Sequence, residues 1–149
     1  MRDQRALELL TRRLLGNSYA QVEIGDWWKI SFGWDLWLVF QDVRAPEELE
    51  VHDLLDRSTA PLLDGVDSEE IAKAVCVLRN RRRAVTGVSL DETGALELRF
   101  DGDRRLVFPT STDIVDWQWA LNSSGRPPYA DFLVACFQAG TVELRGATT

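Results

Sequence analysis

The chain is poor in the residues that most often do enzyme chemistry or bind metals. Its 149 residues include one histidine, His52, and two cysteines, Cys76 and Cys136. These three cannot assemble a zinc site of the usual spacings, and no nucleophile motif with a histidine partner is recognisable. No metal, cofactor or catalytic residue is therefore expected. Both cysteines fall inside apolar patterns, where a reduced thiol behaves as a small hydrophobe, so a disulfide is not expected either. Lysine is scarce, with only Lys29 and Lys73 beside abundant arginine. No apolar run is long enough to cross a bilayer, and the opening MRDQRALELL mixes acid and base among its leucines instead of showing a signal peptide's apolar core. The expectation is a cytoplasmic chain without a membrane partner. Positive charge is in deficit as well: 17 Lys and Arg against 24 Asp and Glu leave a net charge of -7. That balance works against generic binding to phosphate backbones, so no nucleic acid is expected, and it suits a basic protein partner.

What the chain does have is strong alternation. In residues 95–109, ALELRFDGDRRLVFP, Leu96, Leu98 and Phe100 alternate with Glu97 and Arg99, and Leu106 and Phe108 resume the pattern after Asp101, Gly102 and Asp103. This is a β-hairpin with one buried face. A two-residue Asp-Gly loop would put Leu106 and Phe108 on the wrong side of the pleat. A three-residue loop through Asp103 sets Leu98 opposite Leu106 and Leu96 opposite Phe108. Residues 28–40, WKISFGWDLWLVF, overlie residues 96–108 without a gap, matching Phe32 to Phe100, Asp35 to Asp103 and Phe40 to Phe108. The same loop rule places Trp28, Ile30, Phe32, Leu36, Leu38 and Phe40 on one face. Carried further, the offset sets Leu49 and Val51 against Trp117 and Trp119, as a third strand.

The expected fold class is α+β: a mainly antiparallel sheet of two similar helix-plus-β-meander halves, with two main helices packed on it. The halves run over about 1–57 and 66–121 of a single domain spanning 1–149, with a C-terminal hairpin over 131–145. Residues 2–15 read as a helix through Ala6, Leu9, Leu10 and Leu14, stopped at Gly16 and Asn17. Residues 19–24 read as a strand. For residues 46–57 the repeat argues strand, whereas the opening PEEL argues helix. Asp67, Ser68, Glu69 and Glu70 cap and charge the start of a helix whose Ile71, Val75 and Leu78 recur at helical spacing. It ends in Arg79 and Arg81 to Arg83. Residues 84–90 form a strand, and residues 122–128, NSSGRPP, are the most loop-like and the best candidate for mobility.

Few side chains suggest chemistry. His52 reads as an ordinary, partly exposed residue. Asp101 with Asp103, and Asp113 with Asp116, are acids at turns. Arg79 to Arg83 with Arg99, Arg104 and Arg105 read as a solvated helix end, because a nucleic-acid site would interleave aromatics. The six tryptophans are the more unusual signal. Trp28, and Trp117 with Trp119 on one face of their strand, read as core. Trp34 falls at the tip of the first hairpin, and Trp27 and Trp37 face away from Trp28, either under a covering helix or free to bind. Tryptophan is a favoured interface anchor. The expected partner-binding residues are Trp34, Asp35 and Trp37, then Asp101 and Asp103 at the equivalent turn.

The run LRFDGDRRLVFPTSTDIVDWQWAL resembles small uncharacterised bacterial proteins that are often found beside polymorphic toxins and are classed with immunity proteins. The resemblance covers residues 83 to about 144 and carries no catalytic motif. It implies a non-enzymatic, protein-binding module that neutralises a cognate toxin by covering its surface, the partner being another protein such as a basic toxin domain. Two alternatives stand beside it. One is a small-ligand-binding protein or enzyme with a tryptophan-lined pocket between the halves, and the other is a homodimer joined through an unpaired sheet edge.

Overall fold

The structure, a computed structural model, describes residues 4–58 and 60–145. Within them the chain forms helix α1 (Gln4–Leu14), strands β1 (Gln21–Ile24), β2 (Trp28–Gly33) and β3 (Leu36–Phe40), then helices α2 (Glu48–Asp56) and α3 (Ser68–Arg79). Strands β4 (Val85–Leu90), β5 (Leu96–Phe100), β6 (Arg104–Phe108), β7 (Trp117–Asn122), β8 (Val134–Phe137) and β9 (Thr141–Leu144) follow. The fold is α+β and its strand pairs are antiparallel. The strands divide into one sheet ordered β1-β2-β3-β7-β8-β9 and a smaller one ordered β4-β5-β6.

The second hairpin has the register its alternation demands. Leu96 faces Phe108 and Leu98 faces Leu106 around the turn at residues 101–103. The first hairpin likewise sets Trp28 opposite Phe40 and Ile30 opposite Leu38, with all six expected inner residues buried. Its tip differs: a register shift between Ser31 and Gly33 takes up the extra residue, and Gly33 pairs directly with Leu36 across Trp34 and Asp35. Each hairpin is preceded by a helix and a further strand, an order consistent with two similar halves. The expected third strand at Leu49 and Val51 is not made. Those residues lie in α2, where Pro46 and the acids Glu47, Glu48 and Glu50 sit at the positive end of the helix dipole. The matching strand of the other half, β7, leaves β6 and pairs with β3 instead.

The inner faces of the two sheets meet. Phe40 and Phe108 lie edge to face at 4.6 Å, while Tyr19 is edge-on to both Phe32 at 5.6 Å and Phe100 at 5.9 Å. One apolar cluster runs through both inner faces and takes in α1 through Ala6, Leu9, Leu10 and Leu14. Where the turn between β4 and β5 meets the connection between β8 and β9 the backbones touch, and a Cβ on Gly140 would stand 2.0 Å from the Thr93 carbonyl. The buried Trp119 indole donates to the Gly94 carbonyl at 2.9 Å.

Three further expectations are corrected. Trp117 and Trp119 do not share a face, because a bulge between them resets the pleat. Trp119 enters the cluster between the sheets and Trp117 a second cluster on the other side of the large sheet. The bulged Gln118 is buried and exchanges hydrogen bonds with the backbone of Thr112. On α3 the buried face is Ala72, Lys73, Cys76 and Val77, whereas Ile71 and Leu78 are exposed. Lys73 can be buried because its ammonium donates to Asp42 at 2.7 Å and the Val43 carbonyl at 2.8 Å, with Glu48 at 3.4 Å. Finally, residues 122–128 are pinned. Asn122, fully buried, holds the Arg126 and Asp131 carbonyls and the Gly125 amide, and Asp131 accepts from Ser123.

Candidate functional site

Both hairpin tips emerge at one end of the molecule, since Phe32 and Phe100, each just before its tip, flank the same Tyr19 ring. Trp34 is 90% exposed there and Asp35 is exposed beside it, while Phe32 and Leu36 on either side are buried. The Ser31 hydroxyl donates to the Gly33 carbonyl and so braces the turn from within. An indole held in water on a braced two-residue turn is costly to solvate and open to contact, as a binding anchor requires.

Trp37 and Trp27 do not join it. Trp37 is half-buried under the Lys29 ammonium, 5.0 Å from its ring, and a Cβ on Gly125 would come within 3.2 Å of it. The Trp27 indole donates to the Gly125 carbonyl at 3.1 Å. What covers this outer face of the first hairpin is the 122–131 segment, not a helix. The two indoles therefore hold that cover in place.

Asp101 and Asp103 are exposed at the second tip, in an arginine-rich setting. Arg83 donates to the Asp101 carbonyl at 3.4 Å, and Arg104 and Arg83 both donate to the Arg79 carbonyl, at 3.2 and 3.3 Å. The guanidinium groups thus close the carbonyl end of α3, where the helix dipole favours cations. Of the arginines expected as a solvated helix end, Arg83 and Arg104 close the end of α3 and Arg83 also reaches the second tip. The next pair along the hairpin is Arg99 opposite Arg105, both exposed and both leaning on Glu97, at 3.0 and 3.7 Å. The register already implied this pairing: once Leu98 faces Leu106, Arg99 must face Arg105.

A second constellation is invisible in the sequence. His52 Nδ1 lies 3.0 Å from an Asp56 oxygen, and its Nε2 lies 3.3 Å from the Ser68 hydroxyl. The order matches a nucleophile, base and acid, beside a cleft of about 430 Å³. Two features make it a clasp instead. The Ser68 hydroxyl donates to the other Asp56 oxygen at 3.0 Å, so the carboxylate competes with the imidazole for the proton. The Glu69 and Glu70 amides, which follow Ser68 in the chain and could serve an oxyanion, are taken by the Asp67 side chain. The trio ties the end of α2 to the start of α3.

Other titrating groups serve the fold. Burial, reinforced by Glu47 and Glu48 against Arg79 and Lys73, pushes the Cys76 thiol up to about 11, which keeps it unreactive. Burial also raises the Tyr19 hydroxyl, which donates to the Val77 carbonyl. Among the described residues no group of three or more His, Cys, Asp or Glu is placed to hold a metal ion, and no helix is long and apolar enough to cross a membrane. No family model, curated protein or solved structure matches the chain.

Proposed function

We propose that the chain is a non-enzymatic protein-binding module, an immunity protein that neutralises a cognate toxin by covering its working surface. The observation that carries this reading is Trp34, 90% exposed on a braced turn with Asp35 beside it. A surface indole of this kind fills a partner's pocket, and the flanking carboxylate selects a basic rim around that pocket. The alternative of a tryptophan-lined ligand pocket between the halves is disfavoured by packing. The inner faces of the two sheets are filled by fully buried side chains such as Ile30, Leu38, Leu96, Leu98 and Trp119. In this reading Trp34 and Asp35 lead, Asp101 and Asp103 contribute from the neighbouring tip, and Trp37 acts only by supporting the covered face.

The test is capture of native partners on immobilised protein, followed by affinity measurement with whichever partner is identified. Trp34→Ala with Asp35→Ala should weaken binding at least about tenfold with little change in melting temperature, since both side chains are exposed. Equal capture by the variant and the wild type would remove the tip from the proposal.

A further inference from the structure

The outer face of the three-stranded sheet shows Ser89, Arg99 and Arg105 to solvent, and it carries a costly arrangement. Arg99 and Arg105 stand directly opposite each other on adjacent strands, where like charges destabilise a sheet. One carboxylate, Glu97, spans the pair, with one oxygen toward each guanidinium. One net positive charge and most of the two guanidinium forks remain in solvent. On β4, Gly87 is the cross-strand partner of Arg99 and puts no side chain over it. The groove that results, about 810 Å³, runs from Gly87 past Arg99 and Arg105 to Arg104, Asp101 and Asp103.

We infer that this face is a second docking surface, which takes the carboxylate-bearing face of a protein partner on the Arg99 and Arg105 guanidinium groups. Charge complementarity carries the assignment. Exposed forked donors are suited to bidentate carboxylate recognition. The groove is mixed in sign, because Asp101 and Asp103 at its end ask for a cation a few residues away from the partner's acids. A protein surface can meet that pattern, whereas a uniformly anionic phosphate backbone cannot. A nucleic acid is disfavoured further by the net charge of -7 and by the lack of a stacking platform, since Phe100, the aromatic in the groove lining, is buried. The inference stands apart from Trp34 and Asp35, and the two surfaces share only the turn that carries Asp101 and Asp103.

The test uses the whole chain with a fluorescein-labelled peptide that carries a glutamate cluster followed a few residues on by lysines, read by anisotropy at low salt, with a single-stranded oligonucleotide of equal net charge as the comparison. Arg105→Gln is the key variant, because Glu97 keeps its closer partner Arg99 and the like-charge opposition is removed. It should weaken peptide binding about fivefold without lowering the melting temperature. Arg12→Gln, on the exposed last turn of α1, should leave binding unchanged. The inference is overturned if the peptide does not bind, if Arg105→Gln binds it like the wild type, if Arg12→Gln loses as much, or if the oligonucleotide binds more tightly than the peptide.

Discussion

The two hairpins present the same inner face and opposite outer ones. Inside, Trp28, Ile30, Leu38 and Phe40 of the first correspond to Leu96, Leu98, Leu106 and Phe108 of the second, and all are buried. Outside, the first is roofed by residues 122–131 over Trp27 and Trp37, whereas the second shows Arg99, Glu97 and Arg105 to solvent. Alternation therefore dictates which side of a hairpin faces the core but leaves the other side free. One was committed to holding a loop and one was left open. If the inner faces are equivalent, truncation at matched positions should cost the same. Leu38→Ala and Leu106→Ala, both fully buried between the sheets, should each destabilise by about 2–5 kcal/mol in chemical denaturation. A large difference between them would break the equivalence.

The outer faces should differ as sharply under a one-carbon probe. Gly125 has φ +73, and an added Cβ would stand 3.2 Å from both Lys29 and Trp37. Gly125→Ala combines left-handed strain with a displaced indole, and should cost roughly 1–3 kcal/mol. Gly87, in the open groove, carries no such φ, and its nearest neighbours would be Arg99 side-chain atoms at 3.5 Å or more. Gly87→Ala should change stability by less than about 0.5 kcal/mol. Thermal melts of the two variants would decide this. Similar losses would mean that the small sheet's outer face is packed after all.

These inner faces could be read from the sequence because a period of two needs no knowledge of distant partners. The features that could not be read depend on such partners. Trp117 and Trp119 look like one face until a bulge at Gln118, held by Thr112, resets the phase. Lys73 reads as a surface position on α3, and its burial makes sense only with Asp42 and the Val43 carbonyl, about thirty residues away, as partners. The NSSGRPP segment has the composition of a mobile loop, yet Asn122 satisfies its backbone internally and the Trp27 indole anchors it. At the candidate site, the exposure of Trp34 followed from its place on the turn. The arginine setting of Asp101 and Asp103 did not, because it depends on the end of α3 coming to rest against the second tip.

The tips offer the finest comparison. Neither Trp34 nor Asp35 has a positive φ, whereas Asp103 adopts φ 61. A non-glycine residue in that region carries roughly 1 kcal/mol of strain, and glycine is free of it. Among the described residues no side-chain hydrogen bond holds Asp103 in that conformation, and Gly102 before it, at φ 85, already supplies one left-handed residue of the turn. Because glycine also adds about 0.4–1 kcal/mol of unfolded-chain entropy, Asp103→Gly should raise stability by at most a few tenths of a kcal/mol. Asp103→Asn, equally tolerant of left-handed backbone, should leave it unchanged. Both remove the same charge. If the aspartate is kept for contact with a partner, the two variants should lose equal affinity while differing in stability. A loss confined to the glycine variant would instead trace to a loosened turn, and the second tip would then have no contact of its own to set beside Trp34.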